Sequence, residues 1–443
     1  AGVDSGFFNG TTCSYTKYIY IPEEWKEECI MLKFDGAMMH ITVDVNGNKC
    51  AEHHYGYSPF TVDITDVVTF GEENRITINA NTGIQSSSRW YSGCGLFREV
   101  ELIHGPRIFI PTDGIFISTK EIAIVDEKQI AFLEAQVEVT NHSLQNHLAE
   151  VTVALFEQKS TTPAAESKRV IQINPETTET AFLQINLANP KLWDIDTPNL
   201  YKVKVAVKDK GIFRTHFIEN SQMQQTVDEE ETVFGVRTIT ADSVRGLQIN
   251  GKTVKLKGGC VHHDNGLLGS VSLYETELRK VKKLKETGFN AIRTAHNPPS
   301  SALVKACDTA GMYIFDEAFD AWGIAKRPGD YSQYFSRCWK EDLTAFVKRD
   351  RIHPSVIMWS TGNEIPERGG LNNGYKIASQ LAAAIHELDR TRPVSNGVCS
   401  FWSGLDDYNA SGKNQNQNGR NNASDSANCS SCKSSSFATS VHT

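Results

Sequence analysis

The chain has 443 residues, 40% of them hydrophobic and 22% charged, which suits a soluble globular protein of two to four domains. A net charge of −8 leaves no basic face for nucleic acid or an anionic membrane, and no apolar stretch is long enough for a transmembrane helix. Ten cysteines are present. Eight of them lack metal-site spacing and read as small buried apolar residues of a reducing compartment. Cys429 and Cys432 form a CxxC with no second pair. No signal segment is visible, so the reading leans cytoplasmic, although the N-terminus looks trimmed. Asn-x-Ser/Thr triplets such as Asn9-Gly10-Thr11 are common by chance and decide nothing.

Residues 1–110 alternate apolar and polar positions in short runs at 15–21, 30–36, 40–47, 60–65 and 74–80, with Asn46-Gly47 as a turn signal. Period-two patterning predicts antiparallel strands of a β-sandwich or jelly roll. Residues 111–238 repeat the pattern at a spacing that suits an immunoglobulin-like sandwich. From residue 239 apolar strands alternate with amphipathic helices. Strands are expected at 256–261, 290–294, 312–317, 356–364 and 393–398, and helices at 273–287, 300–310, 334–350 and 375–389. Ser272 with Glu275 makes a capping box for the first helix. The alternation means parallel strands, either doubly wound or in a (β/α)8 barrel. Five strands are countable where a barrel needs eight, so the 239–408 region reads as an incomplete barrel. Residues 409–443 are polar and aperiodic, and read as a disordered or aberrant tail.

The chemistry gathers at the strand C-termini. Val356–Glu364 is an apolar run ending in Asn363-Glu364. A glutamate held there in apolar surroundings suits a proton donor, because burial favours the neutral acid. A surface Glu in an ion pair is the bland alternative. His262, His263 and Asp264 after the first strand are compatible with metal ligation or with bonds to sugar hydroxyls. Arg293 directly after an apolar run needs a carboxylate or loop carbonyls, and His296 precedes Asn297-Pro298-Pro299. Asp316 and Glu317 end the third strand, where alone they would suggest a catalytic pair.

The whole 350–364 string resembles the acid/base signature of glycoside hydrolase family 2, the β-galactosidase and β-glucuronidase family. Ile352 departs where asparagine is usual. Phe34–Thr65, the 87–102 stretch SSRWYSGCGLFREVEL and Pro190–Tyr201 resemble the same family. The resemblance implies three parts: a jelly-roll sugar-binding domain, an immunoglobulin-like sandwich and a TIM barrel. It also implies a retaining exo-β-glycosidase acting on terminal β-linked galactosides or oligosaccharides. A β-glucuronidase and an inactive carbohydrate-binding remnant are the alternatives. It makes Glu364 the general acid/base, and gives substrate contacts to Asn363, His262, Arg293, His296, Trp322 (as a sugar platform), Asn81 and Arg89. Asp264 and Asp316 support them from behind. Asn297 favours β-galactosidases, since β-glucuronidases more often carry tyrosine there. No metal or cofactor is required, with magnesium left open, and the full-length family member is expected to be a homo-oligomer. No glutamate matches the family's nucleophile. Asp406 and Asp407, which match no family motif, and Asp425 in the tail are the carboxylates after the fifth strand, so the chain alone is expected to be inactive.

Overall fold

The computed structural model describes residues 11–83, 87–214, 217–218 and 226–399. Asp406, Asp407 and the polar tail with its CxxC lie outside the described residues. The first domain is two antiparallel sheets face to face. One has four strands in the order Thr12–Ile21, Glu72–Asn81, Ile41–Val45, Asn48–His53; the other has three, Phe60–Asp63, Cys29–Phe34, Val100–Gly105. Alternate residues point inward, and Ile30, Phe34, Ile41, Val43 and Ile78 fill the space between the sheets. Asn46 and Gly47 both take positive φ (53° and 88°), as the two-residue hairpin between Val45 and Asn48 requires.

The second domain repeats the plan with longer strands. Lys128–Asn141 pairs with Thr177–Ala188 in one sheet, and His147–Phe156 with Tyr201–Arg214 in the other. Val137, Val139, Val151, Val153, Leu183 and Val205 close its core. A small antiparallel meander, Ile239–Asp242, Gly246–Ile249 and Lys252–Thr253, then leads into the α/β region. The sequence pattern gave no warning of it.

The α/β region is a five-stranded parallel sheet whose spatial order equals its chain order. Its elements are β1 (Gly258–Val261), α1 (Tyr274–Glu286), β2 (Ala291–Thr294), α2 (Ser301–Ala310), β3 (Tyr313–Glu317), α3 (Ser332–Asp350), β4 (Val356–Asn363), α4 (Gly374–Leu388) and β5 (Val394–Gly397). A doubly wound sheet would reverse its order at a switch point, so this order decides for the barrel type of winding. Ser300 caps α2 by accepting from Leu303 N at 3.2 Å. The expected Ser272–Glu275 box does not form. Ser272 Oγ donates to Glu277 at 2.7 Å instead, because Leu273 occupies the N-cap and shifts the register.

The three parts are pinned together. Tyr55 OH donates to Asn297 Oδ1 at 2.7 Å and to Ala318 O. Buried Arg98 donates to Tyr57 O and Pro298 O, both at 2.8 Å. Arg349 joins Asp35 (3.0 Å) to Asp350 (2.6 Å) in the interior. Trp193 Nε1 of the second domain donates to Asp308 O at 3.0 Å. The cysteines correct one expectation: Cys29 and Cys307 are buried, whereas Cys94 and Cys260 are exposed and Cys13, Cys50, Cys338 and Cys399 lie between. No described helix is long and apolar enough to cross a membrane.

Candidate active site

All eight residues of β4 are buried, so the strand is fixed on both faces and delivers Asn363 and Glu364 to its upper end. Asn363 is locked. Its Oδ1 accepts from Arg293 Nη2 at 3.1 Å, its Nδ2 donates to Asp320 at 2.8 Å, and its carbonyl accepts from Lys326 Nζ at 2.6 Å. Glu364 turns out of the strand with φ 43°, a left-handed conformation that a non-glycine residue adopts only when its surroundings impose it. Its N–H donates to Gly397 O at 2.6 Å, and its carbonyl accepts from Arg368.

The setting of Glu364 differs from the apolar enclosure expected of it. The side chain is 29% exposed, and Oε2 accepts from Arg89 Nη1 at 3.0 Å. Oε1 has no hydrogen-bond partner among the described residues. Arg89 comes from the loop of the first domain and also donates to Asp320 at 3.1 Å. Burial opposes its charge, but the Asp320 and Glu364 carboxylates outweigh that and hold the guanidinium above its usual pKa.

Asp320 is the hub that the sequence did not reveal. It accepts from Arg89, Lys326 (2.9 Å) and Asn363, three donors from three separate segments. Burial pulls the Lys326 ammonium below its usual pKa, against the pull of Asp320. Asp320 stands three residues past β3 with no local pattern to mark it, and only its fold-distant partners give it a role.

A second hub lies deeper. Glu317, with no exposure, accepts from Arg293, from His296 Nδ1 at 2.7 Å and from Ser360 Oγ at 2.6 Å. Asp316 beside it is also fully buried, accepts from Thr294 Oγ1 at 3.2 Å, and is pushed well above the usual carboxylate range by burial and by Asp350. Glu317 thus fixes Arg293, which also holds Asn363, and His296.

His262, His296 and Trp90 form an aromatic wall. The Trp90 ring lies 5.0 Å from His262 and 5.2 Å from His296, and the Arg89 guanidinium sits 5.7 Å from the Trp90 centroid. His262 Nδ1 is buried without a partner, a polar group left for a ligand, whereas Trp90 Nε1 is directed at the Tyr57 hydroxyl. Burial, then the neighbouring His296, pulls the His262 pKa below its usual value. Trp90 was readable only as an aromatic next to Arg89.

Five expectations need correction. Trp322 is no sugar platform: it is 1% exposed, packs on Phe335 and donates Nε1 to Thr361 O at 2.9 Å, so its faces are spent in the core. Asn81 accepts from Thr12 Oγ1 and Gly83 N, which makes it a strand-end bond within its own domain. Asp264 is exposed and acts on His262 only through its charge. His263 packs against Tyr57 and Arg98. The trio therefore does not converge on a metal, and no cluster of three such ligands occurs among the described residues. Asn297 is 4% exposed and committed to Tyr55, so it does not face a sugar.

Three family models match along the chain: "Glycosyl hydrolases family 2, sugar binding domain" over residues 4–106, "Glycosyl hydrolases family 2" over 115–237, and "Glycosyl hydrolases family 2, TIM barrel domain" over 242–406. The chain belongs to glycoside hydrolase family 2. Among curated relatives, the β-galactosidase BoGH2A of Bacteroides ovatus is 32% identical over 90% of this chain and 48% of its own length. A putative β-glucuronidase of Formosa agariphila is 31% identical over 90% of this chain and 35% of its own. A solved family 2 member from Bacteroides cellulosilyticus superposes with a TM-score of 0.80 at 37% identity, over 90% of this chain and 49% of that one. The chain therefore spans half or less of the length of these relatives.

Proposed function

We propose that these domains belong to a retaining exo-acting β-glycosidase in which Glu364 is the general acid/base. The observation that carries this reading is the upper end of β4, where a fully buried strand presents a carboxyl whose Oε1 is free while Oε2 is held. A proton on Oε1 passes to the glycosidic oxygen as the C1–O bond breaks, and the aglycone leaves protonated. Arg89, bound to Oε2, orients the carboxyl from another domain. Asn363, fixed between Arg293 and Asp320, presents its amide beside the sugar 2-hydroxyl, where hydrogen bonding strengthens as charge develops. His262 supplies an unpaired ring nitrogen and, with Trp90, an aromatic wall for the sugar.

A retaining pair needs a second carboxylate about 5–5.5 Å from the first. Glu317 is fully buried and accepts from three side chains, and Asp320 accepts from three more, so neither is free to attack carbon. The nucleophile is assigned to residues outside the described ones. For substrate, the favoured reading is a terminal β-galactoside, supported by the Bacteroides ovatus relative. A β-glucuronide is the second reading, supported equally by the Formosa relative. Asn297, which had favoured the first, acts on the sugar only through domain docking.

In an active form extended through the rest of the barrel, Glu364→Gln is expected to abolish hydrolysis of poor leaving groups while sparing the first step on activated aryl glycosides. Equal loss on both would make Glu364 structural. The same form should cleave aryl β-galactosides faster than aryl β-glucuronides, and the reverse order would select the second reading.

A further inference from the structure

At the opposite end of the sheet, a cleft of about 480 Å³ separates the Phe116–Ile122 segment of the second domain from the turns that lead into β4 and β5. The eight residues of β4 put this cleft about 25 Å from Glu364, at ~3.3 Å per residue. Arg237, Arg351, Arg390 and Arg392 line it, whereas Glu121 is the carboxylate on its wall.

Two of the four guanidinium groups are occupied by structure. Arg237 donates to Pro354 O (2.6 Å) and Val356 O (2.9 Å), and Arg392 to Val356 O, His353 O and Asp389. The other two keep donors free, although the Arg351 guanidinium also lies 4.7 Å from the centroid of the Phe116 ring in the cleft. Arg351 donates Nη1 to Leu388 O at 3.0 Å, its nearest carboxylate, Glu138, stands 3.9 Å away, and its buried Nε has no partner. Arg390 is exposed and makes one bond, to His386 O. On the facing wall Thr119 Oγ1 is also buried without a partner. Burial and the charge of Arg392 hold Arg237 well below its usual pKa, and burial lowers Arg351 against the opposing pull of Glu138. Carboxylates stand near both, Asp389 and Asp308 beside Arg237 and Glu138, Asp389 and Asp113 beside Arg351, but the buried Arg351 Nε and Thr119 Oγ1 remain unpaired, which costs stability unless an acceptor enters.

We propose that this cleft is an oxyanion-binding site separate from the sugar-cleaving site, with Arg351, Arg390 and Thr119 as its free donors. The chemistry it recognises is a compact anion with several acceptor oxygens, supplied by an inorganic oxyanion or by the carboxylate of an acidic sugar.

The test is calorimetric titration of the 443-residue chain with inorganic phosphate, at ionic strength held constant with chloride. D-glucuronate, with D-glucose as its neutral control, forms the second arm. Saturable millimolar or tighter binding to phosphate or glucuronate is expected, with an accompanying rise in Tm that chloride does not produce. Tighter binding of glucuronate would name the sugar acid as the source, and tighter phosphate the inorganic ion. Arg351→Gln and Arg390→Gln should each weaken binding about tenfold, the size of one lost charged hydrogen bond. If Arg351→Gln does not fold, the exposed Arg390→Gln and the small change Thr119→Ala decide the matter. No saturation by either anion, or binding that Arg390→Gln and Thr119→Ala both leave unchanged, would overturn the proposal.

Discussion

The second domain and the α/β region bury their strands by different means. In the second domain both sheets are in place, and inward residues such as Val137, Val151, Leu183 and Val205 are almost wholly enclosed by its own chain. In the α/β sheet burial depends on position: β4 is buried at all eight residues, while three of the four in β1 are exposed. The cover over the middle strands comes partly from elsewhere. Tyr55, Tyr57, Phe97 and Met38 of the first domain belong to the same apolar cluster as Ile314, Phe319 and Trp359. The candidate acid/base thus stands where the sheet is best covered, and its charge partner Arg89 arrives with that cover. A chemical site can be held by domain docking even where the sheet that bears it has open edges.

The strongest way to break this comparison is to ask the 443-residue chain to work and to survive. A parallel sheet of five strands with two edges leaves backbone donors and acceptors unpaired, whereas each β-domain closes its own core. Limited proteolysis should leave a fragment ending near residue 235–240 and digest the α/β region. Purified free of host enzyme, the chain should turn over aryl β-galactosides several orders of magnitude below a complete family member, since losing one member of a catalytic pair typically costs that much. Measurable turnover would point to a nucleophile in these residues, with Asp406 and Asp407 the first to mutate.

Next in size is the pin between the first domain and the sheet. Arg349 is buried and bridges Asp35 and Asp350, with Pro299 O as a further acceptor. Arg349→Leu leaves two buried carboxylates without their cation, a loss of about 3–5 kcal/mol. Denaturant unfolding should show the transition of the first domain and the α/β region moving down while that of the second domain holds its midpoint. A loss below about 1 kcal/mol would mean that apolar contact alone holds the dock.

The sequence made one part of this arrangement legible and hid another. The strands β2 to β5 were placed to within a residue or two, because an apolar run between amphipathic helices has few other folds. Asn363 and Glu364 followed from where the β4 run ends. Asp320 and Lys326 did not, because their meaning depends on Arg89, which is 231 residues from Asp320 in the chain. Burial was also misjudged in both directions. Glu364 is expected to be enclosed and is paired and partly exposed, while Trp322 is expected to face the sugar and is spent in the core. Period and run length report which face is apolar, but not which neighbouring domain lies on it.

Trp322 carries the same lesson to the smallest of these tests. An aromatic in the loop after a barrel strand suits either a platform for a sugar ring or a plug for the core below it, and local sequence does not separate the two. In the fold its ring stacks on Phe335 at 6.4 Å and its Nε1 is bonded to Thr361 O in β4, just before Asn363. Trp322→Phe keeps most of the apolar volume and removes the donor, leaving a buried carbonyl unpaired at a cost of about 1–3 kcal/mol. As a core residue, Trp322→Phe should lower stability by that amount in denaturant unfolding and leave the KM of an active, extended form nearly unchanged. A platform would behave the other way, since the smaller ring offers less stacking surface and weakens sugar binding while the fold stays as stable. A raised KM at unchanged stability would therefore return Trp322 to the pocket, and would mean that the loop opens further than its packing on Phe335 allows.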